Sequence, residues 1–280
     1  MAERGLRVAV VQFPGGNCET ETARALEACG QRAEIFRWNR DPAELDAFDA
    51  LVIGGGFSYQ DRVRAGVIAA HEPIGAKVYE LATAGRPVLG ICNGAQVLVE
   101  MGLVPGLTPG QIEVALAPNH MAIDGRVVRR DYYSTWTHLR LAAAPERCVW
   151  TRLFEPGAVI ALPLAHGEGR FVSSDEGLFE RLLAAGQIVW QYCDESGQVD
   201  ERFPITPTGA TLATAGLCNV EGNVLAMMPH PERASWLRQV PQDLPGAIGA
   251  RRRAAQGDFA ALEGAGPARG VFCSLGAEVQ

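Results

Sequence analysis

Short apolar runs alternate with stretches of helical period through the first hundred residues. Residues 8–13 (Val-Ala-Val-Val-Gln-Phe) form a strand-like run that stops at Pro14-Gly15-Gly16. Asn17 is placed to cap a helix through Ala23, Leu26 and Cys29, which Gly30 ends. Residues 33–38 alternate apolar and polar, predicting a second strand, and 50–53 predict a buried one that runs into Gly54-Gly55-Gly56. Pro73 suits the first turn of a helix whose apolar stripe is Ile74, Val78 and Leu81, with Gly85 as its stop. A strand over 87–91 and a helix over 96–101, closed by Gly102, complete the series. Strands that are apolar throughout and alternate with helices imply an α/β fold, a mostly parallel open sheet with helices on both faces.

Beyond Pro105 the pattern weakens. Residues 114–116, 126–129 and 139–141 read as antiparallel strands, and 187–192 and 224–228 as clear late strands. After Pro241 the chain turns to Ala and Gly around Arg251-Arg252-Arg253, which predicts a helix followed by a partly ordered tail. The expected division is therefore 1–240 as one domain and 241–280 as a C-terminal helix and tail of unassigned role.

Composition narrows the field. A chain of 280 residues, 48% hydrophobic and 20% charged, can bury a core as one α/β domain with insertions. Its net charge of −7 argues against nucleic-acid or anionic-membrane partners, which need a basic footprint. Arg4 and Arg7 before an apolar run resemble a signal peptide. Gln12 interrupts that run early and no small-residue cleavage site follows, so a cytoplasmic protein is expected. The one lysine, Lys77, lies in an amphipathic helix, which excludes a Walker A loop and argues against a Schiff base. Seven scattered cysteines without a CxxC pair predict reduced thiols rather than a zinc ribbon.

Gly90-Ile91-Cys92-Asn93-Gly94 has the form of a nucleophile elbow with Cys in the nucleophile's place. Glycines tolerate the strained turn, and a helix starting behind it favours a thiolate and offers the Asn93 N–H to an oxyanion. The competing reading of Cys92 is a small buried hydrophobe. Met228-Pro229-His230-Pro231-Glu232 follows a strand. Two prolines hold it extended, so Glu232 reaches the same side as His230 and can fix its tautomer as a triad requires. A plain surface bend is the alternative. Gly54-Gly55-Gly56 would let backbone N–H groups approach a substrate.

These features resemble the class I (triad) glutamine amidotransferases. Within them, several segments resemble the glutaminase subunits of phosphoribosylformylglycinamidine synthase. These are Phe13-Pro14-Gly15-Gly16-Asn17-Cys18-Glu19, Gly55-Gly56-Phe57-Ser58-Tyr59, Arg64-Ala65-Gly66, Ala165-His166-Gly167-Glu168-Gly169-Arg170 and Tyr192-Cys193-Asp194, with Gly222-Asn223 leading into the His230 segment. The likeness runs from residue 7 to about 236. It departs at Gln60, where glycine is usual, at Ala95, where a bulky aromatic is usual, and at Thr206-Pro207-Thr208-Gly209-Ala210.

The resemblance implies Cys92 as nucleophile, His230 as general base and acid, and Glu232 as its orienter. It implies Gly56 and Asn93 as oxyanion donors and Gln96 with Gly55 as substrate-binding. His166 and Glu168 would be either a structural clamp or a link to substrate entry and partner coupling. No metal or cofactor is implied in this chain. ATP and Mg²⁺ would serve a synthetase subunit, accompanied by a small accessory subunit, with L-glutamine as substrate and purine synthesis as the setting. An amidotransferase feeding another acceptor, or a non-catalytic module of the same fold, are the alternatives.

Overall fold

The computed structural model describes residues 5–123 and 126–277; Arg4 and the last three residues of the tail lie outside the described residues. The first half follows the expected alternation: β1 (Arg7–Gln12), α1 (Glu19–Glu27), β2 (Arg32–Arg37), β3 (Ala50–Ile53), α2 (Val67–His71), α3 (Pro73–Thr83), β4 (Val88–Ile91) and α4 (Asn93–Glu100). The middle holds β5 (Ala115–Pro118), β6 (His120–Ile123), β7 (Arg126–Arg130), β8 (Tyr133–Leu141), β9 (Val159–His166), β10 (Glu168–Val172) and α5 (Leu178–Ala184). Then come β11 (Ile188–Cys193), β12 (Thr214–Cys218), β13 (Val224–Met227), α6 (Gly246–Ala254), α7 (Phe259–Leu262) and α8 (Gly270–Cys273).

Nine strands make one sheet in the order β2-β1-β3-β4-β13-β12-β11-β8-β9. From β2 to β13 every pairing is parallel, with β1 between β2 and β3, and β4 between β3 and β13. From β13 to β9 every pairing is antiparallel. The parallel strands β3, β4 and β13 are buried at every position, which is why they read as unbroken apolar runs. Two small hairpin-like pairs, β5 with β10 and β6 with β7, stand apart from the main sheet. The indole N–H of buried Trp150 donates to the Val88 carbonyl at 3.1 Å, tying the middle segment to the parallel core. Among the described residues no helix is long and apolar enough to cross a membrane.

Three expectations need correction. Asn17 does not cap α1: the helix starts at Glu19 after Cys18, and Asn17 instead donates its N–H to the Gly55 carbonyl at 3.1 Å. The thiols are not all reduced, since Cys29 and Cys273 form a disulfide across a sequence separation of 244. That pairing follows from α8 packing on the end of α1, a long-range contact that spacing along the chain does not reveal. Finally, the segment after Pro241 is packed rather than loose. Ala268, Val271, Phe272 and Leu275 join the main core, and Arg253 donates to the carbonyls of Gln242 and Leu244.

Candidate active site

The carboxyl ends of β1, β3, β4 and β13 converge beside the point where strand order reverses around β1, the usual place for a site in an open α/β sheet. Cys92 sits there between β4 and α4 with φ 52° and ψ −108°, a left-handed backbone that a non-glycine residue adopts only under constraint. The surroundings supply that constraint. A Cβ on Gly90 would meet Gly94 O at 2.5 Å, and one on Gly94 would overlap the Ile53 carbonyl. Every residue of α4 is buried. The elbow is therefore wedged between two strands and its own helix. The Cys92 thiol faces the Ala165 carbonyl at 3.8 Å.

His230 follows β13 by three residues. Its N–H donates to Pro163 O at 2.8 Å and its backbone is extended, as the flanking prolines require. The imidazole Nδ1 lies 2.6 Å from Glu232 Oε1, and both side chains are buried. Burial alone would push the imidazole down, but the Glu232 carboxylate and the Cys92 thiol hold it well above its ordinary value. Burial alone would likewise raise Glu232, and His230 instead holds it below its ordinary value. The two form a charge pair whose Nε2 is buried without a protein partner, free for a thiol or a leaving group.

Cys18 and Arg233, which the residue patterns did not single out for chemistry, complete this corner. The Arg233 guanidinium donates to Cys18 Sγ at 3.0 Å and lies 3.6 Å from Glu232 Oε1. Cys18 Sγ, His230 Nδ1 and a Glu232 oxygen lie within 4.8 Å of one another, as metal ligands could. A guanidinium already beside the thiol and a carboxylate already on Nδ1 make it a hydrogen-bonded cluster. The adjacency of Cys18 to Glu19 and of Arg233 to Glu232 was the available signal.

The glycine loop closes over the elbow. Gly16 and Gly56 form an isolated bridge whose bonds run from Asn17 N–H to Gly55 O and from Phe57 N–H to Gly15 O, leaving the Gly56 N–H outside it. Gly56 needs its φ of +150°, and a Cβ there would press on Gly15 and Gly16 at 2.7 Å. Gly55 is needed for another reason: a Cβ would meet the His230 ring at 2.7 Å, so the missing side chain admits the imidazole. The Asn93 N–H opens α4 and has no acceptor within the helix. The Asn93 side chain accepts from Ser58 N at 3.0 Å and donates to Gln96 Oε1 at 2.9 Å, coupling loop to elbow.

A cavity of about 260 Å³ opens beside Cys92, walled by Gly56, Asp61, Gln96, His166 and Glu168 among others. Gln96 is buried and donates to the Glu168 carbonyl at 2.7 Å. Buried Asn119 accepts from Gly169 N–H at 3.1 Å and donates to His166 O at 2.7 Å, fixing the corner between β9 and β10. Every residue expected at the site thus lies at one address. Buried nucleophile, imidazole and carboxylate beside two free N–H groups can form and hydrolyse an acyl-thioester.

Comparison with known proteins agrees with this chemistry. The family model of the CobB/CobQ-like glutamine amidotransferase domain matches residues 5–248. Phosphoribosylformylglycinamidine synthase subunit PurQ of Methanothrix thermoacetophila is 47% identical over 270 residues, 96% of this chain and 97% of the relative. That match necessarily includes residues beyond 248. The PurQ subunit of Pyrococcus furiosus is 43% identical over 230 residues, 82% of this chain and 90% of the relative. Among solved structures, PurLQS from Thermotoga maritima aligns with a TM-score of 0.68 at 29% identity, covering 97% of both chains.

Proposed function

The chain belongs to the glutamine amidotransferase family, and from that premise we infer that it is the glutaminase subunit of a phosphoribosylformylglycinamidine synthase. It releases ammonia from L-glutamine for formylglycinamidine ribonucleotide synthesis in the purine pathway. The observation that carries the chemistry is the 2.6 Å contact of Glu232 with His230, buried behind a cysteine held on a strained elbow. The Cys92 thiolate attacks the carboxamide carbon, and the N–H groups of Gly56 and Asn93 receive the oxyanion. Protonated His230 gives its Nε2 proton to the departing nitrogen, so ammonia leaves and a γ-glutamyl thioester remains. His230 then takes a proton from water, whose attack frees glutamate and the thiolate. Atoms balance as glutamine plus water giving glutamate plus ammonia.

Ammonia passes to the synthetase subunit, which uses ATP and Mg²⁺; a small accessory subunit and a cytoplasmic location belong to the same reading. PurQ relatives and the likeness to PurLQS support the synthetase partner. The His166–Glu168 corner, which holds Gln96 through the Glu168 carbonyl, is the proposed coupling element. Adding the synthetase with its ATP and nucleotide substrate is expected to raise kcat/KM for glutamine by roughly 10–150-fold. The test of the function is Cys92→Ala in the complex. Glutamine-dependent amidine formation should fall at least ~10³-fold while ammonia-dependent formation survives. Equal loss with both nitrogen donors would make Cys92 structural.

A further inference from the structure

Glu232 is held by less than a buried carboxylate needs. Its Oε1 accepts from His230 Nδ1, while its Oε2 is buried with no hydrogen-bond partner. Whenever the imidazole is neutral, that one bond is left to keep a fully buried carboxylate ionised, which burial opposes. A general base passes through its neutral form in every turnover. Arg233 supplies a second cation, its Nε 3.6 Å from Oε1. The other titratable groups facing the pair are Cys92 from the elbow, Cys18 from the loop before α1 and His166 from β9. Burial pushes His166 down to about 3, so its ring is neutral. Among the described residues, Arg233 is therefore the one lasting positive charge on the pair.

Cys18 decides where that charge sits. The guanidinium donates to Cys18 Sγ at 3.0 Å, and the thiol donates in turn to Asn17 Oδ1 at 3.0 Å. Asn17 is the residue whose N–H holds the Gly55 carbonyl. A Cβ on Gly55 would meet Cys18 Sγ at 3.2 Å as well as the His230 ring, so thiol and imidazole press on the same glycine. Cys18 is fully buried, whereas the Arg233 side chain is 39% exposed. A long, half-exposed side chain is thus fixed at its tip by a group in the core. The chain of contacts runs from Glu232 through Arg233, Cys18 and Asn17 to the glycine loop.

On the glutaminase reading above, we propose that Arg233, seated on Cys18, is a positioning residue that keeps Glu232 ionised and aimed at His230 while the imidazole is neutral. The Cys18 contact sets the guanidinium against the glycine loop, so base and loop share one anchor. Neither side chain lines the cavity beside Cys92, so the effect falls on kcat rather than on KM.

The experiment follows ammonia release from glutamine against pH in the complex with its synthetase. Arg233→Gln should lower kcat about tenfold or more, with KM for glutamine within about twofold of wild type. Without the positive charge the His230–Glu232 pair keeps its proton to higher pH. The acid limb of the kcat profile should therefore move up by about 0.5 pH unit or more, a shift moderated by the exposure of Arg233. Arg233→Lys keeps the charge and should restore the acid limb and most of kcat. Cys18→Ala should lower kcat by a smaller factor, and its combination with Arg233→Gln should be no slower than Arg233→Gln alone. Wild-type kcat in Arg233→Gln overturns the proposal. So does a loss carried by KM, or a lower kcat with the acid limb in place and no recovery in Arg233→Lys, which would make Arg233 structural. Losses that multiply in the double variant overturn the part given to Cys18. A wild-type complex that releases no ammonia from glutamine overturns the glutaminase reading itself.

Discussion

Two stretches at the rim of one cavity hold non-glycine residues in left-handed backbone, and they are held in opposite ways. At the elbow, Cys92 has φ 52° and is surrounded by the fully buried α4, by Ile53 and by β4. In the turn after the glycine loop, Tyr59, Gln60, Asp61 and Val63 have φ between 52° and 71°, and Val63 is 93% exposed. Left-handed backbone costs on the order of 1–3 kcal/mol per residue wherever it occurs. The core enforces it at the elbow, whereas the turn is anchored by few contacts, chiefly Tyr59 N–H to Pro14 O at 2.8 Å and the Tyr59 hydroxyl to Glu72 at 3.0 Å. The nucleophile and the Asn93 N–H on α4 are thus preset, while the turn beyond Gly56 is the part a partner or substrate can move.

The sharpest way to test the preset half is Glu232→Gln. The amide cannot stabilise an imidazolium, so glutaminase kcat of the complex should fall by on the order of 10–10⁴-fold with the fold retained. Unchanged kcat would remove Glu232 from the triad. The same variant has a signature in stability. Glu232 is held below its ordinary value, so its contribution is present above pH 4.5 and fades as pH falls through the folded value. His230 is held above its ordinary 6.5, so its contribution is present below that pH and fades as pH rises through the folded value. The stability gap between Glu232→Gln and wild type, from thermal melts, should therefore be widest between these limits; a gap independent of pH would contradict the pairing.

Next in size is Gly94→Ala. The added methyl meets backbone at Ile53, which cannot rotate away, so a loss of about 1–3 kcal/mol is expected. At about 2–4 °C per kcal/mol, calorimetry would show a midpoint several degrees lower. A variant as stable as wild type would mean the elbow is less tightly wedged than its geometry indicates. The smallest effect belongs to the turn. Gln60→Gly supplies the residue usual in the resembling subunits at a position with φ 61°. Relief of strain, less the added freedom of the unfolded chain, should leave a gain of roughly 0.5–1 kcal/mol or less. A clear loss of stability would show that the Gln60 side chain holds the turn; Arg62 donates to it at 3.0 Å.

The same contrast explains what could be read beforehand. Parallel strands buried on both faces carry their signal in every residue, so β1, β3, β4 and β13 were legible, and with them the elbow and the His230 segment. The antiparallel half is written more faintly. β9 lies at the sheet edge and carries Pro163 inside it, a residue that argues against a central strand but suits an edge. β12 is Thr-Ala-Gly-Leu-Cys, too small and mixed to stand out, though each position is buried. Cys18 and Arg233 gain their meaning from each other across 215 residues of chain, and His166 gains its own from Asn119. No local period encodes such meetings.

The bond between Cys29 and Cys273 turns almost the whole chain into a covalent ring. All three triad residues and every strand of the main sheet except β1 lie within it. A protease that cuts one exposed segment inside the ring, such as β7, where every residue is exposed, would open a second pair of ends without separating any fragment. Until a reductant breaks the sulfur link, the nicked pieces stay tethered, the nucleophile and its imidazole remain at high mutual concentration, and the cut chain keeps a route back to its own fold.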